Sequence, residues 1–387
     1  MPLPAWHFTD SPGGSVHILV TADTMSGSWT YTRELVAGLV TRGVRVTLVS
    51  FGEIPLPEQT AWMDHLHGLD YRPTAFRLEW MQEAEEDFPE SSEFLFNLVQ
   101  ELRPDVLHLN QFGHGNLPVD VPKVIMAHGD LITWREAVQD RVQRGSTPSK
   151  WYRDTIVCGI KGADAVVAPS AWMLEQVSAC YVHPLRGEVI YPGRNPIFFN
   201  PYISKEDSVL AVGRLVDAGK QVFLLTQHEH PVPVFIVGAE QTVAMPRIPI
   251  RADVKVAVAE TSVAICGPQT EAQLRALYSR SSIFAATARY DPLGVQAIEA
   301  ALSRCAILAN NIPSFREMWG DAALYFQAND GASLAASIRQ LNEDRAMRRA
   351  YAEMAYTRAR ERFTSKRMIE DYLRLYGGLI SIRSAAA

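Results

Sequence analysis

The chain has 387 residues, 47% of them hydrophobic and 21% charged, a length that suits two domains at roughly 100–200 residues each. A net charge of −6 argues against a nucleic-acid-binding protein, because phosphate backbones are gripped by basic surfaces. The cysteines Cys158, Cys180, Cys266 and Cys305 form no Cys-x-x-Cys pair, which removes support for a zinc knuckle or a dithiol motif and fits a reducing cytosol.

The opening MPLPAWHFTDSPGG (1–14) has no basic region followed by an apolar run, so no leader peptide is expected. No apolar stretch approaches the ~18 residues that suggest a membrane span. Short runs rich in Val and Ile then alternate with longer segments of helical period, the pattern of a parallel sheet with crossover helices. The first run is VHILVTA (16–22). A loop with Gly27 follows, then a helix pattern, TYTRELVAGLVTRG (30–43), and a second run, VRVTLVSF (44–51). Between about Glu53 and Ser92 the pattern fades into acidic, Pro-containing sequence, expected to be loop-rich. It resumes with DVLHLN (105–110), VPKVIMAHG (121–129), ADAVVAPS (163–170) and GEVIY (187–191).

Pro192, Gly193 and Pro196 break the chain, which sets the expected boundary between domains 1–192 and 193–387. The rhythm restarts with SVLAVGR (208–214), a helix pattern expected from near Asp217, and VFIVG (234–238). It continues through SVAICG (262–267), SSIFAAT (281–287) and CAILAN (305–310). From about Ala332 the chain reads as helical; MIEDYLRLYGGL (368–379) is a final amphipathic helix and RSAAA a frayed tail. The expectation is an α/β protein of two doubly wound units. Ligands of such sheets sit outside the carboxyl ends of the strands, and with two units the inter-domain cleft is the expected site.

Three segments carry chemistry. In VGRLVDAGKQVFLL (212–225) a strand ends at Gly213 and Arg214, with Lys220 close behind. Two cations at a strand end suit a diphosphate, although each alone reads equally as a surface residue. In ARYDPLGVQAIEA (288–300) a strand runs into a loop with Asp291, Pro292 and Gly294, and the following helix carries Glu299. Gly294 permits close backbone approach, the helix start favours anions, and the carboxylates can accept from sugar hydroxyls. An acidic first turn with an unremarked helix glutamate is the plainer alternative. In DTMSGSWTYTRELVAGL (23–39) a small-residue loop opens a helix whose amides can attract phosphate; an ordinary strand–helix turn explains it too. VIMAHGD (124–130) ends a strand with His128, and Trp29, His108, Asn110, His114 and Trp134 follow strand ends, where aromatics also simply pack.

GRLxxxGK followed about 70 residues later by YDPLGVQAIEA resembles glycosyltransferase family 4, a group of retaining enzymes with the GT-B fold of two Rossmann-like domains facing across a cleft. The family's Glu-Pro-Phe-Gly segment with a second Glu eight residues on is matched at Pro292, Gly294 and Glu299, with Asp291 for the first Glu and Leu293 for Phe. GPQTEAQLRALYSRSSIF (267–284) also looks like the family's preceding helix and strand. The resemblance implies an acceptor-side domain at 1–192 and a nucleotide-sugar-binding domain at 193–387. Its last helix, about 365–383, is a candidate to pack back on the first domain. It further implies that Arg214 and Lys220 stabilise the donor diphosphate and Glu299 the ribose hydroxyls. Asp291 would take the sugar hydroxyls beside the amides of Gly294 and Val295, and His128 would lie beside the donor sugar. Gly27 and Ser28 stand where members often have Gly-Gly. Trp29, Asn110, His114 and Trp134 are the acceptor-side candidates.

No Asp-x-Asp occurs in the chain, so a metal–diphosphate site of that type is not supported, and cationic side chains with helix-start amides can neutralise a leaving phosphate directly. No metal or other cofactor is expected. A Walker-type loop, Gly-x-Gly-x-x-Gly and Gly-x-Ser-x-Gly are also missing. Residues 345–367 hold eight Lys and Arg residues against Glu353 and Glu361: a solvated helix face, or a peripheral contact with anionic lipid if the acceptor is lipid-linked. The sequence therefore predicts a cytoplasmic, metal-independent retaining glycosyltransferase, with the inner membrane face as a peripheral location. Its donor is a nucleotide sugar, UDP-linked by preference, and its acceptor a glycan, a lipid-linked saccharide or a small molecule. A nucleotide-sugar hydrolase or epimerase, or a degenerate nucleotide- or glycan-binding protein, are the alternatives.

Overall fold

A computed structural model describes residues 15–138, 149–238 and 262–386, the last without its side chain. The stretch behind the leader-peptide reading, 1–14, lies outside them. The described residues divide into two compact units: 15–131, 149–191 and 365–386 form one, and 132–138, 192–238 and 262–364 the other.

In chain order the first elements are β1 (His17–Asp23), α1 (Ser28–Val40), β2 (Arg45–Phe51), α2 (Pro57–Thr60), β3 (Leu69–Pro73), α3 (Ala84–Leu102), β4 (Val106–Leu109) and β5 (Lys123–Met126). Then come α4 (Leu131–Val138), α5 (Lys150–Gly162), β6 (Ala165–Ala168), α6 (Ala171–Cys180) and β7 (Gly187–Val189). The seven strands form one parallel sheet in the order β3-β2-β1-β4-β5-β6-β7. β1 is buried along its whole length, which is why it reads as a continuous apolar run rather than an alternation.

The stretch 53–92 is less loop-rich than its composition implies. β3 is a partly exposed edge strand with Asp70 and Arg72 in it, so it lacks a buried strand's apolar signature. α3 starts at Ala84, its acidic Glu85, Glu86 and Asp87 lying in the first turn, where the helix dipole favours negative charge.

The second unit carries β8 (Glu206–Val212), β9 (Val234–Val237), β10 (Val263–Ile265), α7 (Glu271–Arg280), β11 (Ser281–Ala286), α8 (Val295–Leu302), β12 (Ala306–Asn310), α9 (Pro313–Trp319), β13 (Leu324–Phe326), α10 (Gly331–Glu343) and α11 (Arg345–Arg362). Its parallel sheet runs β10-β9-β8-β11-β12-β13 over a core that includes Val209, Leu225, Ile236, Ile283, Leu308 and Phe326. The helix expected from Asp217 is not formed. Residues 214–221 make a turn, Gln221 sits at φ 50°, and only a short 3-10 segment, Val222–Thr226, follows.

The last helix, α12 (Ser365–Ala386), belongs to the first unit. It crosses α1 at Gly38, where an added Cβ would lie 1.8 Å from Ile369 Cδ1. Tyr372 hydrogen-bonds Tyr31, and Tyr376 meets His108 Nδ1 at 2.7 Å. The expected frayed tail is instead helical through Ala386, with Arg383 paired to Asp120.

In each sheet the chain leaves one central strand in one direction and later returns on its other side. The switch falls between β1 and β4 in the first unit and between β8 and β11 in the second. The crevice outside the carboxyl ends of those strands is where such sheets bind ligands.

Candidate functional site

In the second unit, β8 ends at Val212 and the chain turns through Gly213, Arg214, Asp217 and Lys220. Gly213 has to be small because the Lys220 side chain crosses it; an added Cβ would come 2.9 Å from Lys220 Cβ. Asp217 organises the turn. Its Oδ1 accepts from the amides of Gly219 at 2.9 Å and Lys220 at 3.2 Å, and its Oδ2 pairs with Arg214 at 3.2 Å. The same pattern can open a helix, but Gln221 stands in the left-handed region at φ 50°, which a right-handed helix does not accept. The loop after β11 clamps the turn from the other side. Gly219 O accepts from Arg289 N at 2.8 Å, and Lys220 O accepts from Thr287 Oγ1 at 2.7 Å.

Those bonds bring Lys220 to Asp291, Nζ to Oδ2 at 2.9 Å. Asp291 Oδ1 accepts from Gly294 N at 3.1 Å. Gly294 is the N-cap of α8 at φ 56°, and an added Cβ would lie 2.7 Å from Met318 Sδ, so both backbone and space select glycine. Helix geometry leaves the amides of Val295 and the next residues without intrahelical acceptors. A cation, a carboxylate and a helix start therefore share one loop cluster at the switch between β8 and β11.

One turn further along α8, Glu299 is buried. Arg194, itself 1% exposed, places Nε 2.8 Å from its Oε1. Burial pushes the Glu299 carboxyl up, and Arg194 and the adjoining Tyr278 hydroxyl push it back down.

In the first unit the loop after β1 differs from the expectation. The amides of Met25 and Ser26 donate to Asp23 Oδ1 at 2.7 and 3.1 Å, and Ser28 N donates to Ser26 Oγ at 3.2 Å. Of the helix-start amides the sequence offers to a phosphate, Ser28 N is engaged within the loop. Gly27 has φ −63°, which any residue adopts, and Ser28 is the buried first residue of α1. Trp29 is half-buried, edge-on to Trp62.

Asn110 follows β4. Its amide nitrogen donates to Thr21 O and, at 3.1 Å, to Thr32 Oγ1, so its Oδ1 is the acceptor for His128 Nε2 at 2.6 Å. This assigns the His128 proton to Nε2 and leaves Nδ1 as the lone-pair atom. Burial lowers the His128 pKa to about 3, so the ring is neutral. His114 cannot present itself to an acceptor. It is 1% exposed, stacked on Phe88 and hydrogen-bonded to Ser91, a packing residue. His108 is likewise buried. Trp134 lies on the second unit's Gly219, whose added Cβ would come 2.7 Å from the indole Nε1, and its neighbour Thr133 bonds Tyr290 at 2.8 Å.

Sequence reasoning missed Asp217, Arg194 and Glu79. Glu79 receives the amides of Phe112 at 3.0 Å and Gly113 at 2.8 Å and so anchors the loop after β4; burial raises its pKa to about 7. Asp217 was visible as an Asx-turn former two residues before Gly219. Arg194 and Glu79 gave no local signal, since their partners lie far along the chain. The basic stretch 345–367 is largely internally paired: Arg345 and Arg348 with Asp207, Arg358 with Met318 O, Arg367 with Asp371. Among the described residues no group of three or more His, Cys, Asp or Glu side chains is placed to hold a metal, and no helix is long and apolar enough to cross a membrane.

The description Glycosyltransferase Family 4 matches residues 25–197, and Glycosyl transferases group 1 matches residues 198–358. Over 296 residues the chain is 26% identical to alpha-maltose-1-phosphate synthase of Mycolicibacterium smegmatis, covering 68% of this chain and 75% of that protein. The Mycobacterium tuberculosis enzyme of the same name is 25% identical over 291 residues, 66% of this chain and 73% of that one. Sucrose-phosphate synthase from Thermosynechococcus elongatus superposes with a TM-score of 0.77 at 17% identity, covering 95% of this chain and 100% of that chain. Anabaena Alr3699/HepE in complex with UDP and glucose gives 0.72 at 14% identity, covering 94% and 100%. These likenesses establish a GT-B fold.

Proposed function

The chain belongs to glycosyltransferase family 4, and from that premise we propose that it transfers a sugar from a nucleoside-diphosphate donor, UDP-linked by preference, with retention at the anomeric carbon and without a metal ion. The observation that carries the reading is the cluster of Lys220, Asp291 and Gly294 at the carboxyl ends of β8 and β11. When the bond from the anomeric carbon to the diphosphate oxygen breaks, its electron pair goes to the diphosphate. The ammonium of Lys220, the guanidinium of Arg214 and the amides at the start of α8 stabilise that charge. The acceptor oxygen bonds the anomeric carbon from the face the phosphate leaves, and its proton passes to the departing phosphate; no protein nucleophile is assigned. Asp291 accepts one bond from Lys220 and one from Gly294 N, so each of its oxygens keeps a lone pair for a sugar hydroxyl. Glu299 takes the ribose hydroxyls. The solved complex of Anabaena HepE with UDP-glucose supports the preference for UDP. The acceptor is assigned to the first unit, with Asn110 as its polar candidate.

A panel of UDP-, GDP- and ADP-sugars, run in EDTA against free saccharides, sugar phosphates and lipid-linked saccharides on anionic vesicles, tests the reading. The expected product keeps the donor's anomeric configuration in its proton coupling. An inverted product, or donor turnover equally fast without any acceptor, would overturn it.

A further inference from the structure

We propose that Arg194 is a positioning residue for the nucleoside: its buried ion pair holds the Glu299 carboxylate charged and oriented to receive both ribose hydroxyls. The inference rests on the reading of Glu299 as the ribose contact. Arg194 and Glu299 are 1% and 7% exposed, with Nε and Oε1 2.8 Å apart. Two charges so deeply buried are a poor device for stability, since desolvation costs about as much as their attraction returns. A well-packed apolar pair would hold the fold as well. What an apolar pair cannot do is keep a carboxylate ionised in the interior.

The guanidinium is fixed from several sides. Arg194 N donates to Phe363 O at 2.9 Å, beside a backbone bridge from Arg194 to Thr364. Its guanidinium lies 5.7 Å from the Phe199 ring centre. Its terminal nitrogen is 3.6 Å from Glu271, which Arg275 holds at 3.1 Å. The groups that face Glu299 are Arg194, from the segment after β7, and Tyr278 and Glu271 of α7, with Cys305 beyond Tyr278. Of these only Arg194 brings a positive charge. A carboxylate offers about four acceptor positions. The Arg194 pair engages Oε1, and the remaining acceptor positions can receive the two hydroxyls of a vicinal diol.

Without Arg194, burial and then Glu271 favour the protonated acid, and only the Tyr278 hydroxyl opposes them. A neutral carboxyl group accepts less well and presents a proton of its own to a hydroxyl. Nucleoside affinity should then fall at neutral pH and recover as rising pH ionises Glu299.

The test is calorimetry over roughly pH 6 to 9 with whichever of UDP, GDP and ADP the wild type binds most tightly, and with the 2′,3′-dideoxy form of the same nucleotide. The wild type should prefer the ribonucleotide across the range. Arg194→Met should bind it roughly ten- to hundredfold more weakly near neutral pH, recover toward high pH, and bind the dideoxy form as before. Arg194→Lys, which keeps the charge, should restore most of the affinity. Arg194→Gln, neutral but able to donate a hydrogen bond, gives the same comparison if thermal melting shows that Arg194→Met does not fold. Ribonucleotide binding by the neutral variants that matches the wild type in strength and pH profile would overturn the role of Arg194 and leave the ribose reading standing. Equal binding of the two nucleotides by the wild type would instead remove Glu299 from the ribose, and Arg194 with it.

Discussion

Lys220 is held at both ends: its backbone carbonyl is tied to Thr287 and its ammonium to Asp291. Holding both ends cuts the number of conformations available to a long, flexible side chain, so little ordering is left when a diphosphate arrives. His114 is the contrasting case, a titratable group engaged in packing. Its ordinary pKa of 6.5 falls to about 3 through burial. The unfolded chain therefore takes up a proton near pH 6.5 that the folded chain refuses until about pH 3. The contribution to stability is complete above pH 6.5 and is lost as pH falls toward 3. His114→Gln removes the titration, so the stability gap between wild type and variant should narrow by up to about 1.4 kcal/mol per pH unit on acidification. Urea melts at pH 6.5, 5.5 and 4.5 measure it, and a gap independent of pH would contradict the assignment. The sequence placed both residues near strand ends. It gave no means of telling the half-exposed cation from the buried ring, because that depends on Phe88 and Ser91 from α3, a helix the sequence did not reveal.

At the scale of elements, the buried strands were legible and the turns were not. β1, β2, β11 and β12 appear as uninterrupted apolar runs because both faces of a parallel sheet are covered. β3 at the edge and the start of α3 escaped notice, since a partly exposed strand carries charge and an acidic first turn resembles a loop. The helix expected from near Asp217 is replaced by a turn through Gln221 and a short 3-10 segment, Val222–Thr226. Gln221 in the left-handed region ends the turn, and the Asp217 carboxylate ties its amides at Gly219 and Lys220. This turn aims Lys220, so Asp217→Ala should weaken nucleoside-diphosphate binding roughly tenfold by calorimetry, with a smaller loss in Asp217→Asn, which keeps an oxygen acceptor. Unchanged affinity in Asp217→Ala would show that the turn holds its shape without the aspartate.

On the scale of the whole molecule, a doubly wound sheet occurs twice in one chain, and the break at Pro192 and Gly193 announces the second. The destination of α12 was not written in its own residues. Its apolar stripe would cover any surface, and only the fit of Ile369 over Gly38 and the pairing of Tyr372 with Tyr31 assign it to the first unit. The donor-side cluster, by contrast, draws on residues 213–220 and 287–299 of the second unit, and most of it was legible because motif and glycine constraints coincide there. The most direct test of metal-free glycosyl transfer at that cluster is nucleoside-diphosphate release from the preferred donor and acceptor in excess EDTA, for wild type and Lys220→Ala. Full turnover is expected for the wild type, and a loss of about 100- to 1000-fold for the variant at an unchanged melting temperature. Wild-type activity that vanishes in EDTA and returns with magnesium, or a variant as fast as the wild type, would contradict the account.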